Sequence, residues 1–245
     1  FGIYYQDTMA SKLSKGAGIT AVAAIIEHNT SGIISPKKNN ITDPKALEGK
    51  KYGTWNDPVE LAMIKSLVEK QGGDYNKIEL VPNSDSNSIT PLENGVFDAA
   101  WIYYAWDGKL AESMNLETNF FYLRDFDKKL DYYSPVIIAN NDYLKNNKEE
   151  AQKVLRAIKK GYVYAIEHPE EAADILIKNA PELKEKRDFV VASQKYISQQ
   201  YASNKEHWGE FDAERWNAFY RWVNENKIIE KPLADNTGFS NDYIK

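Results

Sequence analysis

From Ile19 to Ile26 the chain reads ITAVAAII, with no charge, glycine or proline to interrupt it. A short apolar run rich in β-branched residues has the composition of a strand covered on both faces, the kind found where helices flank a sheet. It runs directly into the polar segment Glu27-His28-Asn29-Thr30-Ser31-Gly32. That segment therefore falls at a strand's carboxyl end, where open α/β sheets bind their ligands.

The remaining pattern agrees with an α/β chain. Phe1 to Tyr5 is β-like, and a helix from about Thr8 to Ser14 is closed by Gly16 and Gly18. Asp43 to Lys50 reads as a capped helical turn before a strand from Lys51 to Trp55. Pro58 suits the first position of a helix capped by Asn56 or Asp57; Leu61, Ile64, Leu67 and Val68 form its apolar stripe, and Gly72-Gly73 ends it. A strand from Ile78 to Val81, a polar Ser/Asn segment, a turn from Pro91 to Asn94 and a strand from Phe97 to Tyr103 complete a βαβαβ pattern, which predicts a parallel sheet. Strands are also expected at Phe120 to Leu123 and Val136 to Ala139. From Lys148 the chain turns helical, with a stripe of Ala151, Val154, Leu155 and Ile158, then Pro169 to Lys178, about Lys186 to Tyr201, and Ala213 to Asn226.

Composition removes several function classes. The net charge of -5 comes from 31 basic and 36 acidic side chains with no basic stripe, so nucleic acid is not an expected partner. With Cys 0 there are no disulfides, thiolate zinc sites, iron–sulfur ligands or cysteine nucleophiles. His28, His168 and His207 lack metal-ligand spacing, and no metal site is expected. No Gly-rich phosphate loop, Gly-x-Ser-x-Gly elbow, His-Glu-x-x-His or paired carboxylates stand out, so neither a cofactor nor catalysis is expected. Nothing approaches the long apolar stretch of a membrane span. Phe1-Gly2-Ile3-Tyr4-Tyr5 reads as the inside of a strand, and a leader is expected to have been cut away.

Aromatic residues make up 13% of the chain, and their placement carries the functional argument. Trp101-Ile102-Tyr103-Tyr104-Ala105-Trp106 puts four large rings at the end of an expected strand. Alternation sends Trp101 and Tyr103 to the core, whereas Tyr104 and Trp106 lie past the strand, where rings become walls of a pocket. Gly53-Thr54-Trp55-Asn56-Asp57-Pro58-Val59-Glu60 leads a strand into a helix N-terminus. Glu60 there either complements the helix dipole or reads an amino-substituted ring. His28 within Glu27 to Thr30 is more simply a hydrogen-bonded structural residue than a base. Tyr133 and Ser134 carry hydroxyls for a ligand, or else belong to a packed connection between lobes.

These residues also resemble a known group, the thiamine-pyrimidine family of substrate-binding proteins, related to formylaminopyrimidine-binding proteins and to fungal thiamine-pyrimidine synthases. The resemblance rests on the order of Phe1 to Asp7, Ile26 to Gly32, Leu47 to Gly53, Trp101 to Trp106 and Tyr133 to Ile137, and extends to Phe239-Ser240-Asn241. It implies a type II periplasmic-binding-protein fold of two α/β lobes with a cleft, lobe I from residues 1–49 and 131–245 and lobe II from 50–130. It implies an extracytoplasmic binding component of an ABC importer, periplasmic or a cell-surface lipoprotein. Its partners would be a small heteroaromatic ligand, a thiamine-precursor aminopyrimidine, and a membrane permease. Carried over, the ligand-binding residues would be Gln6, Asp7, Asn29, Thr30, Trp55, Glu60, Tyr104, Trp106 and Tyr133. Members usually begin with two further strand–helix units bearing a Trp-x-Pro-Asn-type segment, so lobe I is expected to be incomplete here. The fungal enzymes carry a cysteine-rich motif that this chain cannot match, which favours a binder over an enzyme. The alternative on the same fold is a binder of alkanesulfonate, nitrate or another small anion.

Overall fold

The computed structural model describes residues 1–83 and 87–244. Its strands are β1 (Gly2–Tyr4), β2 (Ile19–Ala24), β3 (Ser31–Pro36), β4 (Lys51–Thr54), β5 (Glu79–Pro82), β6 (Ala99–Tyr103), β7 (Thr118–Tyr122) and β8 (Val136–Asn140). The helices are α1 (Gln6–Ser14), α2 (Pro58–Lys70), α3 (Ile89–Glu93), α4 (Lys109–Ser113), α5 (Leu123–Phe126), α6 (Asn141–Asn146), α7 (Lys148–Glu167), α8 (Pro169–Asn179), α9 (Arg187–Tyr201) and α10 (Ala213–Glu225). Of the polar Ser/Asn segment expected after β5, residues 84–86 lie outside the described residues.

The chain divides into two compact units, Phe1–Asn29 with Asp131–Lys245, and Thr30–Leu130. The first crossing corrects the expected boundary: residues 30–49 belong with the second unit, not with the first. The cause is β3, which pairs with both β6 and β7 and so anchors the segment inside the second unit's sheet.

In the first unit a three-stranded sheet runs in the order β1-β8-β2, antiparallel throughout. The last four residues of β2 are buried, and Ile25 and Ile26 beyond it remain buried too. Val22, Ala23, Ile25 and Ile26 pack with Ile137, with Ala151 and Leu155 of α7, and with Trp208. Trp208 places its indole N–H on the Ile25 carbonyl at 3.2 Å, so even the polar atom of this large ring is paired. In α7 only Ala151 and Leu155 of the expected stripe are fully buried, while Ile158 packs at the core's margin.

The second unit holds a five-stranded sheet in the order β5-β4-β6-β3-β7. Its β4 pairs are parallel, but β3 lies antiparallel between β6 and β7, so the expected parallel sheet is a mixed one. Sequence reading passed over β3 because Ser31-Gly32-Ile33-Ile34-Ser35 lacks a long apolar run, although all six of its residues are buried. Gly32 is required there: a Cβ would stand 2.2 Å from the Phe121 carbonyl oxygen. On one face Ile34, Phe97, Ala100 and Ile102 pack with Ile89 and Leu92 of α3. Helix α2 buries Val59, Met63, Ile64, Leu67 and Val68, with Leu61 at the edge of that stripe.

Candidate functional site

The carboxyl ends of β4 and β6 and the start of β3 meet at one edge of the second unit's sheet. Thr30 precedes β3, and its carbonyl accepts the Tyr104 N–H at 3.3 Å. The register Ser31↔Tyr103 and Ile33↔Trp101 extends this alignment down the strands. Trp55, just past β4, is 47% exposed, and its ring lies 6.0 Å from that of Trp101 at 40°. Trp101 is buried, as its position in the alternation predicts; its neighbour Tyr103 is partly exposed.

Two polar atoms at this edge are unusual. Among the described residues, Thr30 Oγ1 and Trp101 Nε1 are buried and have no hydrogen-bond partner. A buried donor without an acceptor costs about 1–3 kcal/mol, so an orphan in a folded chain calls for an explanation. Both atoms belong to residues beside the exposed Trp55 ring or the Tyr104 backbone.

Past β6 the chain forms a π-helical turn, Tyr104–Gly108, before α4. Such turns are frequent at functional sites. The Tyr104 ring packs on Phe120 at 4.6 Å, its hydroxyl donates to Glu112 at 2.7 Å, and Lys109 Nζ lies 5.4 Å from its centroid. Burial, then the Glu112 carboxylate, pushes the phenol up to about 12, which keeps it protonated. Trp106 is 43% exposed. Asp107, next in sequence, is half-buried and forms no ion pair among the described residues. Burial pushes its carboxyl up to about 6, only partly offset by backbone hydrogen bonds. Sequence reading stopped at Trp106 and missed it; a carboxylate directly after aromatic residues at a strand's carboxyl end was the available signal.

Glu60 lies in the first turn of α2, facing back onto the β4–α2 connection. Its carboxylate accepts the Tyr52 hydroxyl at 2.9 Å, Thr54 Oγ1 at 3.0 Å and the Trp55 N–H at 3.1 Å, and Asp57 completes a capping box. Both oxygens are occupied within the chain, and burial holds the carboxyl above its ordinary range despite those donors. Glu60 thus fixes the turn that presents Trp55.

The other expected site residues belong to the first unit. Gln6 is fully buried: its Nε2 donates to the Trp216 carbonyl at 3.0 Å and its Oε1 accepts the Tyr133 N–H at 2.8 Å. Asp7 accepts the Thr8 N–H at 2.8 Å and the Tyr132 hydroxyl at 3.3 Å. Asn29 is fully buried, and its N–H donates to Asp131 Oδ1 at 2.9 Å. The Tyr133 hydroxyl accepts the Asp212 N–H at 2.7 Å and a guanidinium N–H of Arg215, whose Cζ lies 4.2 Å over the Tyr133 ring. Arg215 also reaches His28 and Asp131. No local pattern could have joined Arg215 to His28, 187 residues away. Beside Tyr133 and Arg215 a cavity of about 400 Å³ opens, with Tyr201 and Phe211 in its wall.

Among the described residues no group of three His, Cys, Asp or Glu side chains is gathered to hold a metal ion, and no helix is long and apolar enough to cross a membrane.

The family described as NMT1/THI5 like matches residues 1–172. A formylaminopyrimidine-binding protein of Halalkalibacterium halodurans is 22% identical over 238 residues, 96% of this chain and 72% of that protein. The alkanesulfonate-binding protein SsuA of Xanthomonas axonopodis pv. citri, solved bound to MOPS, superposes with a TM-score of 0.71 at 13% identity, covering 98% of this chain and 79% of that one. The desulfurization enzyme DSZB superposes with a TM-score of 0.66 at 11% identity, covering 99% and 83%. The fold is therefore the mixed α/β fold of SsuA-like periplasmic binding proteins.

Proposed function

We propose, from the premise that this chain belongs to the NMT1/THI5-like family, that it is the extracytoplasmic solute-binding component of an ABC importer, delivering an aminopyrimidine precursor of thiamine to a membrane permease. The observation that carries the ligand reading is the edge of the second unit's sheet. There, exposed Trp55 follows β4 and exposed Trp106 follows the neighbouring β6, directly before a half-buried carboxylate, Asp107, that no cation neutralises among the described residues.

A flat heteroaromatic ring stacks on indole faces, and its exocyclic amino group donates to a carboxylate in a charge-assisted hydrogen bond. Asp107 is the group for that amine. Thr30 Oγ1 and Trp101 Nε1 supply donors for ring nitrogens or a formyl oxygen. Of the nine expected residues, Thr30, Trp55, Tyr104 and Trp106 are assigned to ligand contact. Gln6, Asp7, Asn29, Glu60 and Tyr133, which are buried with polar atoms bonded within the chain, are assigned to holding backbone in place, whereas Tyr104, also hydrogen-bonded, keeps part of its ring exposed.

A second reading, an alkanesulfonate or other small anion, draws on the same two unpartnered donors, which suit sulfonate oxygens equally well. The uncompensated Asp107 disfavours it, because an anion beside a carboxylate is repelled.

Calorimetric titration with formylaminopyrimidine, hydroxymethylpyrimidine and ethanesulfonate separates these readings. Binding of either pyrimidine with Kd below about 10 μM, against no heat from ethanesulfonate, is the expected result. If neither pyrimidine binds better than about 1 mM, the aminopyrimidine assignment fails. Tight ethanesulfonate binding would establish the anion reading in its place.

A further inference from the structure

Helix α7 carries a second concavity, unconnected with the residues assigned above. Arg156, Lys159, Lys160, Val163 and Glu167 recur at spacings of three and four, which sets them along one face of the helix. Beside that face the turn at Lys205 and Glu206 is strapped down twice: Lys159 Nζ donates to the Glu206 carbonyl, and Lys205 pairs with Glu167. Between helix and turn lies a groove of about 500 Å³, with Val163, Tyr164 and Ile244 as its apolar surface.

The charges around this groove are not balanced. Among the described residues four cations face two carboxylates, in a chain whose net charge is -5. Lys205 and Glu167 neutralise one another, and Lys159 is directed to a carbonyl. Arg156 and Lys160 are exposed and stand at the rim without an ion pair among the described residues.

We propose that this groove binds a small amphipathic anion, its carboxylate, sulfonate or phosphate head held between Arg156 and Lys160 and its apolar body laid along Val163, Tyr164 and Ile244. The volume is that of a small-molecule site, roughly 300–1,000 Å³. Charge-assisted hydrogen bonds from two cations fix the head, and the guanidinium's planar fork matches two oxygens at once. An apolar cation is excluded by the same charges. A fully hydrated anion gains nothing from the apolar surface. The proposal does not depend on the aminopyrimidine reading, since it shares no residue with it.

The test uses n-octyl phosphate below its micellar concentration, with inorganic phosphate and octyltrimethylammonium as controls, titrated by calorimetry into the full chain. The same titration is run on the double variant Arg156→Gln/Lys160→Gln, whose fold is checked by circular dichroism. Saturable binding of octyl phosphate at one site, weakened about tenfold or more in the double variant, is expected. Both controls should fail to bind, and formylaminopyrimidine titration should be unchanged. Equal affinity in the double variant, or equal binding of octyltrimethylammonium, overturns the proposal. Sedimentation with phosphatidylglycerol vesicles distinguishes the source of the anion. Co-sedimentation alongside octyl phosphate binding, both lost in the double variant, identifies a lipid as the amphiphile. Co-sedimentation without octyl phosphate binding would mean a flat basic face and no groove site.

Discussion

Asp131 Oδ1 accepts the Asn29 N–H at 2.9 Å, so the last residue before the first crossing between the units is tied to the first residue after the second. The other oxygen, Oδ2, lies 2.6 Å from His28 Nδ1 and 3.4 Å from Arg215 NH1. One carboxylate thus gathers three segments of the first unit that are remote in sequence.

Replacing Asp131 by Ala leaves a buried amide and a guanidinium without their acceptor, and is expected to destabilise the protein by about 2–4 kcal/mol. The pH dependence has a definite sign. Burial pushes the carboxyl up, but the His28 hydrogen bond, the Asn29 amide and the nearby positive charges outweigh it, and the net effect is downward. A carboxyl depressed by folding contributes stability that is present above its unfolded value, about 3.9, and is lost as pH falls through the folded value. Urea denaturation at pH 7 and pH 3 should show the Asp131→Ala penalty shrinking at the lower pH. A penalty constant across that range would refute the linkage.

Glu60 carries the opposite sign. Burial raises its carboxyl more than its hydrogen bonds lower it, so protonation favours the folded state and its contribution declines as pH rises through the folded value. Glu60→Ala strands the Tyr52 hydroxyl, Thr54 Oγ1 and the Trp55 N–H. A loss of about 2–3 kcal/mol is expected in chemical denaturation. Ligand affinity should fall as well, because the turn presenting Trp55 loosens.

Asp107 at about 6 predicts proton-linked ligand capture. The ionised carboxylate is the acceptor, so affinity for formylaminopyrimidine should weaken below that pH, by up to about tenfold per pH unit. Asp107→Asn should remove this dependence while leaving any titration of the ligand itself. Superimposable pH profiles for the two proteins would exclude Asp107 from the site.

For Trp55→Ala, the lost stacking surface corresponds to about 1–3 kcal/mol of binding, and Trp55→Phe should recover part of it. Indole fluorescence quenched by pyrimidine in the native chain should be diminished in Trp55→Ala. Undiminished affinity in that variant would remove Trp55 from the ligand set.

At Gly32 the packing is tight enough for a purely structural test. A methyl group would meet the Phe121 carbonyl oxygen at 2.2 Å and the Phe120 ring at 2.5 Å, inside a strand held on both sides. Gly32→Ala is expected to cost about 2–3 kcal/mol in thermal or urea unfolding. A neutral result would mean that β3 is not held between β6 and β7 as described.

What was legible in the sequence are the features whose causes lie within a turn or two of chain. The two-sided burial of β2 follows from Ile19 to Ala24, the α2 start from Asp57 and Pro58, and the burial of Trp101 against the exposure of Trp106 from alternation and the strand end. Tertiary structure decided what depends on partners far along the chain. Strand β3 exists because β6 and β7 accept it on either side, which also reversed part of the expected parallel sheet and moved the unit boundary to residue 29. Glu60 became a turn-holding group because Tyr52 and Thr54 face it, and Asp107 acquired its shifted acidity only when burial removed its water. Local propensity acts through the backbone of neighbouring residues, whereas dielectric environment and strand direction are set by residues that only folding brings near.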